Sequence, residues 1–105
     1  MASATRRPGS TTSGGNFDNT TVLAVWSKAQ TRFGYDPAKH RFDPCGKLIA
    51  LADYGKLTAY GWEVDHKMPV AKGGSDNLTN LQALYWENNR YKSDHYPNWS
   101  CKVVN

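Results

Sequence analysis

At 105 residues the chain has room for one modest hydrophobic core, so one domain with one site is expected. Thirteen Lys and Arg against nine Asp and Glu give a formal net charge of +4 and a pI near 9.2, a balance that suits a polyanionic partner. No apolar run approaches the roughly 18 residues that cross a bilayer, and "MASATRRPGSTTSGGN" lacks the apolar stretch of a secretion signal, so a soluble, intracellular chain with no membrane partner is expected.

Residues 1–17 are mostly Ser, Thr, Gly and Arg with little to bury, and read as a disordered arm whose Arg6 and Arg7 either touch phosphate or, as the preferred reading, are idle solvated charges; the folded domain is expected over 18–105. Val22, Val25, Trp26, Ala29 and Phe33 recur at steps of three and four, which predicts a helix capped by Asn19 or Thr20 and ended by Gly34. Asp36 before Pro37 predicts a short helical turn. The segment "CGKLIALADYGKLTAYGWEVDH" reads as strands punctuated at Gly55 and Gly61. Its last strand places Trp62 and Val64 toward the core and Glu63 away from it. "VAKGGSDNLTN" is a long loop, "LQALYW" a further strand, and "ENNRYKSD" a short polar helix that Pro97 prevents from continuing. The tail carries Tyr96, Trp99 and Val103 and is expected to fold back on the body. Cys45 and Cys101 are too few for a four-thiolate zinc site; without a secretion signal they are expected as reduced, buried thiols, whereas processing to a released toxin would favour a bridge.

Asp65 and His66 stand back to back where a strand ends, and Asn80 and Asn89 follow the loop and the second strand. If the two strands pair as a hairpin, the end of the first meets the start of the short helix, bringing Asp65 to Asn89. A carboxylate and an amide oxygen suit a hard divalent cation, and an imidazole beside it is placed to activate water.

The run "VDHKMPVAKGGSDNLTNLQALYWENNRYKSD" resembles the HNH endonuclease motif, with DHxxP, a glycine-containing loop, NLQxL and a terminal NxxK, over residues 62 to about 94. The resemblance implies an α+β fold in which a ββα-metal unit is joined by an N-terminal helix and an additional β-hairpin. It implies a metal-dependent DNA endonuclease with His66 as general base, Asn80 bracing the loop and the base, and Asp65 and Asn89 holding one Mg²⁺ or Mn²⁺. With one such set per chain, a monomer cuts one strand per event. Two other readings stay open: a nuclease toxin or ribonuclease on the same fold, and a DNA-binding module without cleavage.

The chain departs from many relatives in having Asn89 where His is common, which favours Mg²⁺ or Mn²⁺ over Zn²⁺. Tyr85 and Asn88 replace a cysteine pair, so no structural zinc is expected. Glu63 is either an orienter of metal-bound water or the exposed face of its strand. Lys92 is a candidate clamp on the scissile phosphate, and Arg90 is a phosphate contact or a solvated charge. Lys67 is read as a surface charge near phosphate, and His40 and His95 receive no role.

Overall fold

The computed structural model describes residues 6–104. Helix α1 spans Asn19–Lys28, and strands β1 (His40–Phe42) and β2 (Leu48–Ala50) form one antiparallel pair. Strands β3 (Trp62–His66) and β4 (Leu81–Tyr85) form a second, and helix α2 (Trp86–Lys92) follows β4 without a break. Among the described residues this is a small α+β chain with two helices and two two-stranded antiparallel sheets.

Helix α1 is shorter than its periodicity predicts, and its cap is Asp18, whose side chain accepts from the Thr21 amide at 2.8 Å. The helix stops at Lys28 because the backbone turns away to pair: Gln30 and Phe42 exchange both backbone hydrogen bonds, and Arg41 donates to the Ser27 and Ala29 carbonyls left open at the helix end. Phe33, expected on the buried face, is fully exposed in consequence. The extra hairpin also differs from expectation, since β2 pairs upstream with β1 across the Asp43–Lys47 turn.

In the β3–β4 pair, Trp62 lies opposite Tyr85, Val64 opposite Ala83 and His66 opposite Leu81, so α2 begins beside the start of β3 and not, as expected, beside its end. Alternation puts these residues on one face. Trp62, Val64, Leu81, Ala83 and Tyr85 there join Val22, Val25 and Trp26 of α1 and Ile49 of β2 in the core. Trp62 anchors it, with its ring 5.4 Å from Trp26 and 4.9 Å from Tyr54, and its indole N–H donating to the Ala50 carbonyl at 2.9 Å. The opposite face carries Glu63 and Asp65; the sequence leaves Glu63 open between an exposed position and an orienter of the site, and helix α2 covers this face, so every residue of β3 is buried.

Two more expectations are corrected. Cys45 and Cys101 form a disulfide, with Cα atoms 5.9 Å apart, rather than two free thiols. The bridge joins the Asp43–Lys47 turn to the tail, and a hydrogen-bond network runs beside it. Buried Asp43 accepts from the Tyr85 amide and the Asn88 side chain, while Asn88 Oδ1 accepts from the Lys102 and Val103 amides. Tyr85 and Asn88, the positions that replace the relatives' cysteines, thus feed a hydrogen-bonded junction. Finally, residues 6–17 of the expected disordered arm lie packed on the body, with Ser10 wholly buried and Thr12 bonded to Asp76; residues 1–5 fall outside the described chain.

Candidate active site

Asp65 and His66 sit at the end of β3, where regular pairing gives way to a loop. Asn80 shapes that loop. Its Oδ1 accepts from the Met68 amide at 2.8 Å, and its Nδ2 donates to the carbonyls of Met68 at 3.1 Å and Ser75 at 2.9 Å. Gly74 permits this closure, since a Cβ there would run into the Met68 carbonyl and the Asn80 amide. The closed loop returns Asp76 to the strand end, with Asp76 Oδ1 2.7 Å from His66 Nε2.

A carboxylate at Nε2 selects the tautomer. With the Nε2 proton directed to Asp76, the neutral imidazole keeps its lone pair on Nδ1, which has no hydrogen-bond partner among the described residues. The ring is almost wholly buried and is packed by Phe17 of the arm, whose centroid lies 5.9 Å away.

On the other face of β3, Asp65 Oδ2 accepts from Gln82 at 2.9 Å, and Lys92 Nζ lies 3.4 Å from both carboxylate oxygens. Burial pushes the Asp65 carboxyl above its ordinary range, and Lys92, Gln82 and His66 offset this only in part. The two contacts to Lys92 are long for charge-assisted bonds, which fits a carboxylate left short of positive charge. Lys92 itself is buried and also donates to the His66 carbonyl at 3.0 Å. In that position it braces β3 against α2 and does not reach out to a phosphate, contrary to the expected clamp.

Asn89 comes from the neighbouring turn of α2. Its Nδ2 donates to Glu63 Oε1 at 2.8 Å, which leaves Asn89 Oδ1 without a hydrogen bond among the described residues. Glu63 is buried, and its Oε2 accepts from Arg90 at 2.8 Å. It orients Asn89 and holds Arg90, so it is neither an exposed strand residue nor a free acid.

Asp65, His66, Asn89 and Arg90 line one open cavity of about 460 Å³, together with Arg6 of the arm. Among the described residues no three His, Cys, Asp or Glu side chains converge as a ready-made metal cage. A carboxylate and an amide oxygen beside open space fit a hard cation that takes its other oxygens from water and phosphate, as Mg²⁺ does. Asp76 was missed in the sequence, and Arg6 reads there as a solvated charge in preference to a phosphate contact. Asp76 had a signal in the acid of "GGSD", but its pairing with His66 depends on loop closure.

The model of the HNH endonuclease family matches residues 44–95, from the β1–β2 turn through both site strands to just beyond α2. Comparison with curated proteins and with solved structures gives no match. The matched span contains Asp65, His66, Asn80 and Asn89, and no helix is long and apolar enough to cross a membrane among the described residues. On that match the chain belongs to the HNH endonuclease family, whose members are nucleases.

Proposed function

We propose that the chain is a metal-dependent DNA endonuclease on a ββα-metal unit made by β3, β4 and α2. The observation that carries this reading is the shared cavity, lined by His66, whose ring Asp76 holds, together with Asp65 and Asn89. His66 is the general base: its Nε2–H donates a hydrogen bond to Asp76, and the Nδ1 lone pair takes a proton from water as that water attacks phosphorus. Asn80 keeps the loop closed and so keeps Asp76 on the ring. Asp65 and Asn89 would hold one Mg²⁺ or Mn²⁺, with Glu63 orienting the Asn89 amide and Lys92 bracing Asp65 from behind. When bound, such a cation supplies charge neutralisation for the pentacoordinate phosphorus and the departing 3′ oxygen. One base and one cation site per chain suit one strand cut per event.

The experiment is a supercoiled-plasmid assay with Mg²⁺, Mn²⁺, Zn²⁺ or EDTA, run beside a structured RNA. Nicked circles accumulating before linear product with Mg²⁺ or Mn²⁺, and none in EDTA, are expected. His66→Ala should lose cleavage while still binding metal, and Asp65→Ala should lose both. Undiminished cutting in EDTA, or by His66→Ala, overturns the mechanism.

The disulfide favours a second reading on the same site. Structural disulfides persist in oxidising surroundings, so the Cys45–Cys101 bridge supports a released, toxin-like nuclease over the intracellular location expected from the sequence. Preference for RNA in the paired assay would support that alternative.

A further inference from the structure

We propose that the N-terminal arm completes the site, with Arg6 binding the phosphodiester that enters the Asp65–His66–Asn89 cavity. The inference rests on the nuclease reading, and it extends the site to a segment outside the family match, which begins at residue 44. Its basis is a census of the cations around the cavity. Lys92 is taken up by Asp65 and the His66 carbonyl, and Arg90 by Glu63. Arg6 lines the cavity, yet its guanidinium makes hydrogen bonds only through Nη1, to the Ser10 carbonyl at 2.7 Å and Oγ at 3.2 Å. Among the described residues its buried Nε has no partner, and neither does its Nη2. A buried donor of this kind normally has an acceptor, and a planar fork with two vacant donors matches two phosphate oxygens.

The arm is built to hold that position. Ser10 is wholly buried and donates from Oγ to the Arg7 carbonyl at 2.6 Å, closing a turn around Pro8 and Gly9. Gly9 has φ +76° and lies so close to Glu63 that a Cβ would crowd the glutamate side chain at 3.2 Å. Thr12 then ties the arm to the catalytic loop, donating to Asp76 from its amide at 3.2 Å and its hydroxyl at 3.1 Å. Asp76 therefore links Arg6's arm to His66. Burial lowers the Arg6 pKa, while the charges of Asp76 and Asp65 act in the opposite sense.

The test uses the full chain with Arg6→Ala, Arg6→Gln and Arg6→Lys, and Arg7→Ala as a comparator, since Arg7 is held by Asn16 Oδ1 at 2.9 Å. Affinity for a short DNA duplex is measured in EDTA across a salt series, beside single-turnover cleavage with Mg²⁺ and thermal melting. Removing one phosphate contact should reduce the slope of log K against log salt by about 0.9. Arg6→Ala and Arg6→Gln should show that loss and cut about 100-fold more slowly, at an unchanged melting temperature. Arg6→Lys should recover the slope and part of the rate, and Arg7→Ala should cut like wild type. If Arg6→Ala fails to fold, Arg6→Gln, which keeps a donor for Ser10, decides. Wild-type slope and rate in a folded Arg6→Gln overturn the assignment. A wild-type chain that cuts no nucleic acid overturns the nuclease reading instead, and the EDTA binding series still decides whether Arg6 meets phosphate.

Discussion

Asp76 does two jobs with one carboxylate, holding His66 through Oδ1 and the arm through Thr12. Burial alone would raise its pKa, but the hydrogen bonds from His66 and Thr12 outweigh burial and hold it below the ordinary carboxylate range. A carboxyl with a folded pKa below its unfolded one stabilises the fold fully above the unfolded value of about 3.9, and loses that contribution as pH falls through the lower folded value. Asp76→Asn should therefore melt below wild type near neutral pH, with the gap closing in strong acid, as melting curves over that range would show. Because the group is more than a third exposed, the effect on stability is modest. Its effect on cleavage should be larger, about 10- to 100-fold, because the amide no longer fixes the imidazole tautomer. Equal cleavage by Asp76→Asn and wild type would count against the orienting role. At this scale spacing in the sequence singles out Asp65, His66, Asn80 and Asn89, and Asp65, His66 and Asn89 line one cavity. Asp76 gave no such signal, and Arg6 gave only a weak one, because their partners are brought to them by loop and arm packing.

At the scale of elements, β3 explains both the success and the error of the sequence reading. Its alternation correctly put Trp62 and Val64 in the core, but alternation cannot say what lies on the other side. Glu63 could be read as an orienter of the site or as the exposed face of the strand, and α2 covers that face with Asn89, Arg90 and Lys92. Helix α1 erred for a related reason. Its apolar period continues to Phe33, yet pairing of Gln30 with Phe42 removes the chain from the helix first. The two faces of β3 predict separable defects. Trp62→Ala removes the core anchor and should cost about 3 to 5 kcal/mol, a large share of the roughly 5 to 15 kcal/mol that stabilises a domain of this size. Urea unfolding should show the midpoint fall, with cleavage per folded molecule retained where the variant is still native. A variant as stable as wild type would mean that the Trp26, Trp62 and Tyr54 cluster is not the core's anchor.

For the whole molecule, the question is what fastens the tail and the outer hairpin to a domain whose core is small. The disulfide and the Asp43–Asn88 junction occupy the same corner, so the tail is held both covalently and by buried hydrogen bonds. Neither was legible in the sequence: two cysteines 56 residues apart carry no pairing signal, and the choice of free thiols followed from an expected compartment. In the chain-entropy picture a bridge closing a loop of that length constrains the unfolded chain by about 4 kcal/mol. The bridge lies on the side of α2 that meets Asp43 and the tail, whereas the candidate site uses Glu63, Asp65 and Asn89. Reduction, or Cys45→Ser with Cys101→Ser, should therefore lower the melting temperature by roughly 15 °C or more while leaving single-turnover cleavage near the wild-type rate at temperatures where the protein stays folded. Melting and cleavage measured on one preparation, with and without reductant, separate the two effects. Loss of cleavage in a reduced but fully folded chain would mean that the tail positions α2, and through it Asn89, more directly than these contacts require. An unchanged melting temperature would mean that the Asp43–Asn88 hydrogen bonds alone fasten this corner.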